Sequence, residues 1–341
     1  MSDKIRTLLV GCGRISHLWL EESKKLEEIE LVGLVDIDED AAKACKEQFG
    51  LTDAVTGSDY LKMLDQLKPD VVFDCTVPEA HVHITLAALD RGCHVLGEKP
   101  LADTMENARK MVAAAEKSGK TYAVIQNRRY HKPIRAFKNF LVSGKIGSLT
   151  TLNSDFYIGA HFGGFRDRMK HVLLLDMAIH TFDQARVISG ADPVAVYCHE
   201  WNPKGSWYDH DASAVAVFEM SDGIVYTYRG SWCAEGLNTS WESDWRAICE
   251  RGSVCWDGGE NFKAQVVRET GTFFSKWDDL DLDISETDKD GGHLGVMKDF
   301  LRAIKTGSVP ETICSDNIKS LAMCFAAIES AETGNRVQVR I

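Results

Sequence analysis

One candidate for chemistry in this chain is a lysine at the end of a predicted strand. The apolar run His94–Gly97 is typical of a strand, and Glu98, Lys99 and Pro100 follow it directly. In open α/β sheets, ligands bind in the crevice beyond the carboxyl ends of the strands. We therefore predict that Lys99 points into such a crevice, where a cofactor and a substrate would meet. Taken alone, these three residues would be explained better by a lysine in a solvated turn.

A glycine-rich turn after the first predicted strand indicates a dinucleotide site. Residues 5–10 are mainly apolar and β-branched, and Gly11, Gly13 and Ser16 follow with the spacing G-x-G-x-x-G, serine taking the third place. The first glycine permits a tight turn, and the second lets the backbone approach a pyrophosphate. The amides of the helix that follows attract the phosphate charge. The third position needs a small residue, a requirement that serine meets imperfectly.

An acidic residue ends the second predicted strand and indicates which dinucleotide is bound. Asp36 follows the apolar run 31–35, where a carboxylate can bind both hydroxyls of an adenine ribose. The acidic residues 38–40 would repel a 2′-phosphate, so we expect NAD as the cofactor in preference to NADP. Arg14 is the only nearby cation, and we place it beside the adenine.

A second set of polar residues lies on a helix predicted for about residues 174–189. Asp176 and His180 are four residues apart, so both side chains fall on one helix face. The leucines 173–175 indicate a buried helix start, where polar groups are costly unless they have partners. A structural pair is the commoner explanation of this spacing, and the burial is a modest argument for function.

Two histidines on a predicted helix bear on whether the chain binds a metal. His81 and His83 are two residues apart, so they do not share a helix face and cannot form a ligand pair. We predict no metal site.

The order of the predicted elements indicates two domains. Strands and helices alternate from residue 1 to about 127, the pattern of parallel βαβ units in a doubly wound nucleotide-binding sheet. From about residue 148, long strands dominate, with one helix against them and two more near the end. We predict an α/β protein with a doubly wound parallel sheet in residues 1–127. Residues 128–341 would form a second α/β domain with a large, open, mainly antiparallel sheet that binds substrate.

Composition excludes several classes of function. The net charge of −12 argues against nucleic acid, whose recognition needs a basic face. No apolar run approaches the roughly 18–20 residues that a membrane span needs. The ten cysteines are scattered singly with no C-x-x-C pair, which favours a reduced, cytoplasmic protein.

Taken together, these features resemble the Gfo/Idh/MocA oxidoreductases, a family named for glucose–fructose oxidoreductase and inositol dehydrogenase. The resemblance covers nearly the whole chain. It is carried by the loop from Gly11 to Ser16, Thr76-Val77-Pro78 with His81, the run 87–100 ending in Glu98-Lys99-Pro100, the pair Asp176 and His180, and the segments 299–304 and 331–334.

The resemblance implies a Rossmann domain and a second domain whose open sheet is an oligomer interface, in a homodimer or homotetramer. It implies that Lys99 contacts the reacting hydroxyl and the nicotinamide ribose, that His180 exchanges a proton with the substrate, and that Asp176 binds and orients the substrate. Asn127 would lie at the nicotinamide end. The full set implied for cofactor binding is Gly11, Gly13, Arg14, Ile15, Asp36, Thr76, Pro78, His81, Glu98, Lys99 and Asn127.

One segment departs from the family pattern. Members often have a glycine-rich approach to the helix of Asp176, whereas this chain has Lys170-His171-Val172 there. We expect this segment to line the substrate pocket, so the substrates of the namesakes are an unsafe guide.

The function that we expect is hydride transfer between nicotinamide and a secondary hydroxyl or carbonyl of a sugar, cyclitol or related polyol. A histidine can accept the alcohol proton near neutral pH, and an ammonium group stabilises the developing alkoxide. Two alternatives stay open: an NAD-dependent glycoside hydrolase that oxidises a ring hydroxyl transiently, and a non-catalytic NAD-binding regulator. The presence of Lys99, Asp176 and His180 together argues against the regulator.

Overall fold

Short apolar runs in the N-terminal part of the chain assemble into a six-stranded parallel sheet. The computed structural model describes residues 4–271, 273–282 and 290–341. The strands are β1 (Ile5–Val10), β2 (Ile29–Val35), β3 (Val55–Gly57), β4 (Val71–Asp74), β5 (His94–Gly97) and β6 (Tyr122–Val124). Their order is β3-β2-β1-β4-β5-β6, and all neighbours are parallel. This is the doubly wound order, which reverses between β1 and β4 and leaves a ligand crevice there.

The helices that connect these strands differ in how their N-termini are capped. They are α1 (Arg14–Ser23), α2 (Glu39–Phe49), α3 (Tyr60–Leu67), α4 (Pro78–Asp90) and α5 (Met105–Ser118). Asp38, Asp59 and Thr104 cap α2, α3 and α5 through side-chain oxygens. By contrast, α1 and α4 have no side-chain cap. These are the helices that follow β1 and β4, so the uncapped amides lie beside the reversal point of the sheet.

A second sheet of nine strands follows in the chain. Its strands are β7 (Leu149–Tyr157), β8 (Pro193–Trp201), β9 (Ser213–Met220), β10 (Val225–Ser231), β11 (Asp244–Cys249), β12 (Gly252–Trp256), β13 (Phe262–Glu269), β14 (Lys276–Leu280) and β15 (Val337–Gln338). The order is β14-β13-β12-β11-β7-β10-β9-β8-β15, with β7 and β10 parallel and the other neighbours antiparallel. The predicted fold class is confirmed.

One helix beside this sheet is buried along nearly its whole length. The remaining helices are α6 (Lys132–Val142), α7 (Ile179–Ser189), α8 (Gly292–Thr306) and α9 (Cys314–Thr333). A π-helical segment, Leu173–Ala178, leads directly into α7, and every residue of α7 from Ile179 to Ile188 is buried. Such a helix has no solvated face, so each polar side chain on it needs a partner within the protein.

The chain forms two compact units whose borders differ from the predicted domain limits at the C-terminal side. The described residues up to Asn127 form one unit together with Asp290–Ile318, a segment that the sequence analysis placed in the 128–341 domain. The remaining described residues form the other unit. This grouping has a physical basis, because the amide of Val124 in β6 donates to the carbonyl of Thr312 over 3.0 Å. This backbone bond attaches the segment to the edge of the parallel sheet.

None of the helices among the described residues combines the length and the hydropathy of a membrane-spanning segment.

Candidate active site

The glycine turn after β1 has the shape of a pyrophosphate cradle. Gly11 has φ +93°, and a Cβ there would lie 2.7 Å from the carbonyl carbon of Cys75, so only glycine fits. A Cβ at Gly13 would meet no atom within 4 Å, which leaves open space directly above the uncapped start of α1. Ser16 is fully buried, and its hydroxyl donates to the carbonyl of Gly13 over 2.7 Å. Serine therefore serves the third position without an unpaired hydroxyl, and the turn fits a dinucleotide.

The carboxylate of Asp36 is fixed next to this turn. Its Oδ2 accepts the backbone amide of Cys12 over 2.7 Å, and its Oδ1 accepts the amide of Asp38 over 3.0 Å. Each carboxylate oxygen has a further lone pair, so the same group can accept from ribose hydroxyls. Arg14 and Ile15, in the first turn of α1, are both exposed. These three predicted cofactor residues (Asp36, Arg14 and Ile15), with the two glycines, therefore lie around one turn.

Two further loops at the sheet edge are tied together by His81. The ring is buried in α4, with Nε2 3.1 Å from the carbonyl oxygen of Thr76 and Nδ1 3.0 Å from that of Pro100. Thr76 is itself held by Asp74, whose Oδ1 accepts its hydroxyl over 2.6 Å. Pro78 is the first residue of α4. His81 thus sets the spacing between the loops that follow β4 and β5, and both ring nitrogens face main-chain carbonyls.

The buried carboxylate of Glu98 fixes the backbone at Lys99. Its Oε1 accepts the indole N–H of Trp19 over 2.7 Å, and its Oε2 accepts the amide of Lys99 over 3.0 Å. Burial raises the pKa of Glu98, but His293 and Trp19 together lower it below the ordinary value. The carboxylate is therefore ionised at neutral pH and acts as an anchor for Lys99, whose peptide bond to Pro100 is cis.

Asn127 follows β6, at the start of the short helical turn Asn127–Tyr130. Its Nδ2 lies 3.3 Å from Nδ1 of His293, the second residue of α8. Sequence reasoning gave no signal for His293, because the residue is distant in the chain from both Glu98 and Asn127.

Asp176 and His180 lie in two different kinds of helix. The sequence predicted one regular helix, whereas Asp176 lies in the π-helical segment Leu173–Ala178 and His180 in the first turn of α7. Such π-helical turns occur frequently at functional sites. The Oδ2 of Asp176 accepts from Nε of Arg166 over 2.6 Å, and the Arg166 guanidinium lies 4.7 Å from the ring centre of Phe165. Arg166 is a second residue that sequence reasoning missed.

Comparisons with known proteins identify the family of this fold. The description "Oxidoreductase family, NAD-binding Rossmann fold" matches residues 5–126, and the description "GFO/IDH/MocA C-terminal domain" matches residues 134–255. The chain belongs to the Gfo/Idh/MocA family. It is therefore an oxidoreductase with a nicotinamide-dinucleotide-binding domain, and the predicted family and enzyme class are confirmed.

Known proteins match this Gfo/Idh/MocA chain over nearly its full length. D-glucoside 3-dehydrogenase of Escherichia coli K12 is 26% identical over 99% of this chain and 98% of its own. Myo-inositol 2-dehydrogenase of Thermotoga maritima is 24% identical over 98% of both chains. A crystal structure of an Agrobacterium radiobacter oxidoreductase in complex with NAD+, L-tartaric acid and magnesium has a TM-score of 0.85 at 21% identity, covering 98% of both chains.

The Gfo/Idh/MocA pattern is broken at Lys170-His171-Val172, and the structure accommodates the change through an ion pair. His171 has φ +54°, a conformation that favours glycine. Its Nδ1 lies 2.6 Å from Oε2 of Glu200, whose side chain is almost completely buried. The Glu200 carboxylate raises the pKa of His171, which favours the charged pair. This ion pair fixes the backbone immediately before the π-helical segment that contains Asp176.

A buried ionic cluster anchors α7, the helix of His180. Asp183 accepts from the guanidinium of Arg129 through both carboxylate oxygens. The hydroxyl of Ser320 donates to Asp183 over 2.8 Å and accepts from Arg186 over 3.0 Å. A sequence signal for this cluster is the pair of charged residues, Asp183 and Arg186, on the helix that follows the three leucines 173–175, but the sequence could not identify Arg129 as the partner of Asp183. Among the described residues, no group of three His, Cys, Asp or Glu side chains is arranged to hold a metal.

We predict that Asp183→Asn destabilises the protein by about 3–5 kcal/mol, because it leaves the Arg129 guanidinium buried without its counter-charge. The Arg129 and Asp183 side chains are only 5% and 0% exposed. The free energy of unfolding in urea measures the effect.

Asp155→Asn is the matched control, because its partner Arg229 is 57% exposed and such surface pairs contribute at most about 1 kcal/mol. Equal losses in the two variants would contradict an anchoring role for Asp183.

Proposed function

We propose that this protein is an NAD-dependent dehydrogenase or reductase that acts on a secondary hydroxyl or carbonyl of a sugar, cyclitol or related polyol. The observation that carries the proposal is the Asp36 carboxylate, fixed by two amides beside the open space over Gly13. The D-glucoside and myo-inositol dehydrogenases that match over the whole chain support the substrate class.

The preference for NAD follows from the charge around Asp36. A carboxylate at the end of β2 accepts from the two ribose hydroxyls of NAD and repels the 2′-phosphate of NADP. Asp38, Glu39 and Asp40 follow, all exposed, and add to that repulsion.

Three residues of the chain, Lys99, His180 and Asp176, would each have a separate role in the reaction. The nicotinamide, when bound, supplies the hydride acceptor or donor. Lys99, held by the bond from its amide to Glu98, places an ammonium group that stabilises negative charge developing on the substrate oxygen. His180 accepts or returns the hydroxyl proton. Asp176 accepts hydrogen bonds from neighbouring hydroxyls and so orients the substrate. These roles follow the Gfo/Idh/MocA resemblance residue by residue.

We predict that Lys99→Met lowers turnover at least about 100-fold, since charge stabilisation at a developing oxyanion is worth that much. NAD affinity should stay within a few-fold, because the turn at Gly11 and Gly13 supplies much of it. Absorbance of NADH is followed with excess NAD and a panel of inositols, aldoses and sugar acids.

The control for the lysine variant is Lys110→Met, which removes an exposed lysine that pairs with Glu106 on α5. Normal turnover in Lys99→Met would remove Lys99 from the mechanism. Release of phenol from aryl glycosides without net NADH would favour the glycoside hydrolase instead. NAD binding without turnover of any compound would favour the regulator.

We predict that Asp36→Ala weakens NAD about 10- to 100-fold, the loss expected for charged hydrogen bonds to ribose hydroxyls, and leaves NADP affinity unchanged or improved. Isothermal titration with both cofactors measures this. Asp53→Ala, which removes the same charge from an exposed loop before β3, should change neither affinity. Equal losses for NAD and NADP would mean that the ribose is held by other residues.

We also propose a homodimer or homotetramer that forms through the open face of the nine-stranded sheet. Apolar side chains are exposed on that face, among them Tyr197, Val217, Val225 and Ile248. Tyr197 and Val217 are direct cross-strand partners in β8 and β9, so their side chains lie side by side in an exposed apolar patch.

We predict that Val217→Glu shifts the protein to monomer, because it places a charge within the patch. Light scattering coupled to gel filtration measures the mass. Val142→Glu, which introduces the same charge at a more exposed position at the end of α6, should leave the mass unchanged. A monomeric wild-type protein would refute the proposed interface.

The expectation of a cytoplasmic protein stays a proposal, supported by the ten cysteines, all of which are free.

A further inference from the structure

A chain of polar contacts runs through the first unit from α1 to the end of β6. The indole of Trp19 donates to Oε1 of Glu98 over 2.7 Å. Nε2 of His293 lies 3.9 Å from the same oxygen, and Nδ1 of His293 lies 3.3 Å from Nδ2 of Asn127. The His293 side chain is 11% exposed and lies edge-on to the Trp19 ring. His293 is therefore the link between the residue that holds Lys99 and the residue assigned to the nicotinamide end.

The contact on the Glu98 side of the imidazole defines its tautomer. A carboxylate can only accept, and Nε2 is the nitrogen that faces Glu98, so the neutral ring carries its proton on Nε2. Nδ1 is then left as an acceptor, 3.3 Å from the side-chain amide of Asn127.

The orientation of the Asn127 amide follows from this tautomer. With Nδ2 turned toward His293, the carbonyl Oδ1 points away from the ring, and no described residue is hydrogen-bonded to it. An amide carbonyl accepts from the NH2 of a carboxamide, whereas the opposite orientation would present a donor to that NH2. A side-chain amide can turn about its last bond at little cost, so an external partner is needed to fix which face is presented.

We propose that His293 is a positioning residue that orients the Asn127 amide, so that its carbonyl accepts from the carboxamide of bound nicotinamide. The inference rests on the proposed function and on the family resemblance, which implies that Asn127 lies at the nicotinamide end of the cofactor. His293 acts through Asn127 and needs no contact with the cofactor or the substrate.

Two substitutions separate the two sides of the ring. His293→Asn keeps an acceptor oxygen near the place of Nδ1 and loses the group that faces Glu98. His293→Gln keeps an amide donor near the place of Nε2 and loses the acceptor for Asn127. Both residues are neutral and polar, so the two variants are matched controls for each other. Thermal unfolding confirms that each variant folds.

The measurement is the affinity for NADH and for ADP-ribose, which lacks the nicotinamide. We expect His293→Gln to weaken NADH about 3- to 10-fold, the contribution of one hydrogen bond, with ADP-ribose affinity within twofold of wild type. His293→Asn should bind NADH within twofold of wild type. In an Asn127→Ala background, His293→Gln should have no further effect, because the route through Asn127 is already lost.

The outcomes distinguish the inference from the function on which it rests. Equal losses of NADH and ADP-ribose in His293→Gln, or a loss that persists in the Asn127→Ala background, would overturn the positioning role. Asn127→Ala that binds NADH as well as wild type would overturn both the role of Asn127 and the inference. The wild-type affinity for ADP-ribose reports on the dinucleotide site separately, so NAD binding itself would stand.

Discussion

A single buried charge, the carboxylate of Glu98, constrains the part of the first unit that carries Lys99. A carboxylate in the interior is costly unless hydrogen bonds and an opposite or polar neighbour compensate it. Here the compensation comes from Trp19 in α1, from the amide of Lys99 and from His293 in α8. Three elements far apart in the chain therefore meet at one side chain, and the backbone that positions Lys99 is one of them.

In the second unit, buried charges likewise constrain the helix that carries His180. The helix α7 is buried on all sides, so its charged residues must find partners within the unit. Asp183 does so with Arg129 and Ser320, and this cluster fixes the rotation of the helix about its own axis. The ion pair of His171 and Glu200 then holds the backbone before the π-helical segment. The position of His180, the candidate proton-transfer residue, is therefore set by groups that take no part in the chemistry.

Local sequence signals predicted the elements with strong periodicity and failed for weak ones. The alternation of apolar runs and helices gave five of the strands in the parallel sheet, because each run is buried and followed by a clear turn signal. The three-residue strand β3 (Val55–Gly57) gave no such signal. Strand β14 (Lys276–Leu280) is exposed along almost all of its length, so it lacks the alternation that marks a strand with one buried face. Its pairing with β13 is decided by the neighbouring strand rather than by its own sequence.

The sequence by itself determined the glycine turn, the acidic end of β2, the position of Lys99 after β5 and the spacing of Asp176 and His180. These depend on backbone conformation and on neighbours within a few residues, which local composition encodes. Only the tertiary structure decided that Asp290–Ile318 joins the parallel sheet, that Arg129 neutralises Asp183 and that His293 links Glu98 to Asn127. Each of these contacts joins residues more than fifty positions apart. Such contacts form because buried polar groups must be satisfied by whatever the fold brings near, and no local pattern specifies that partner.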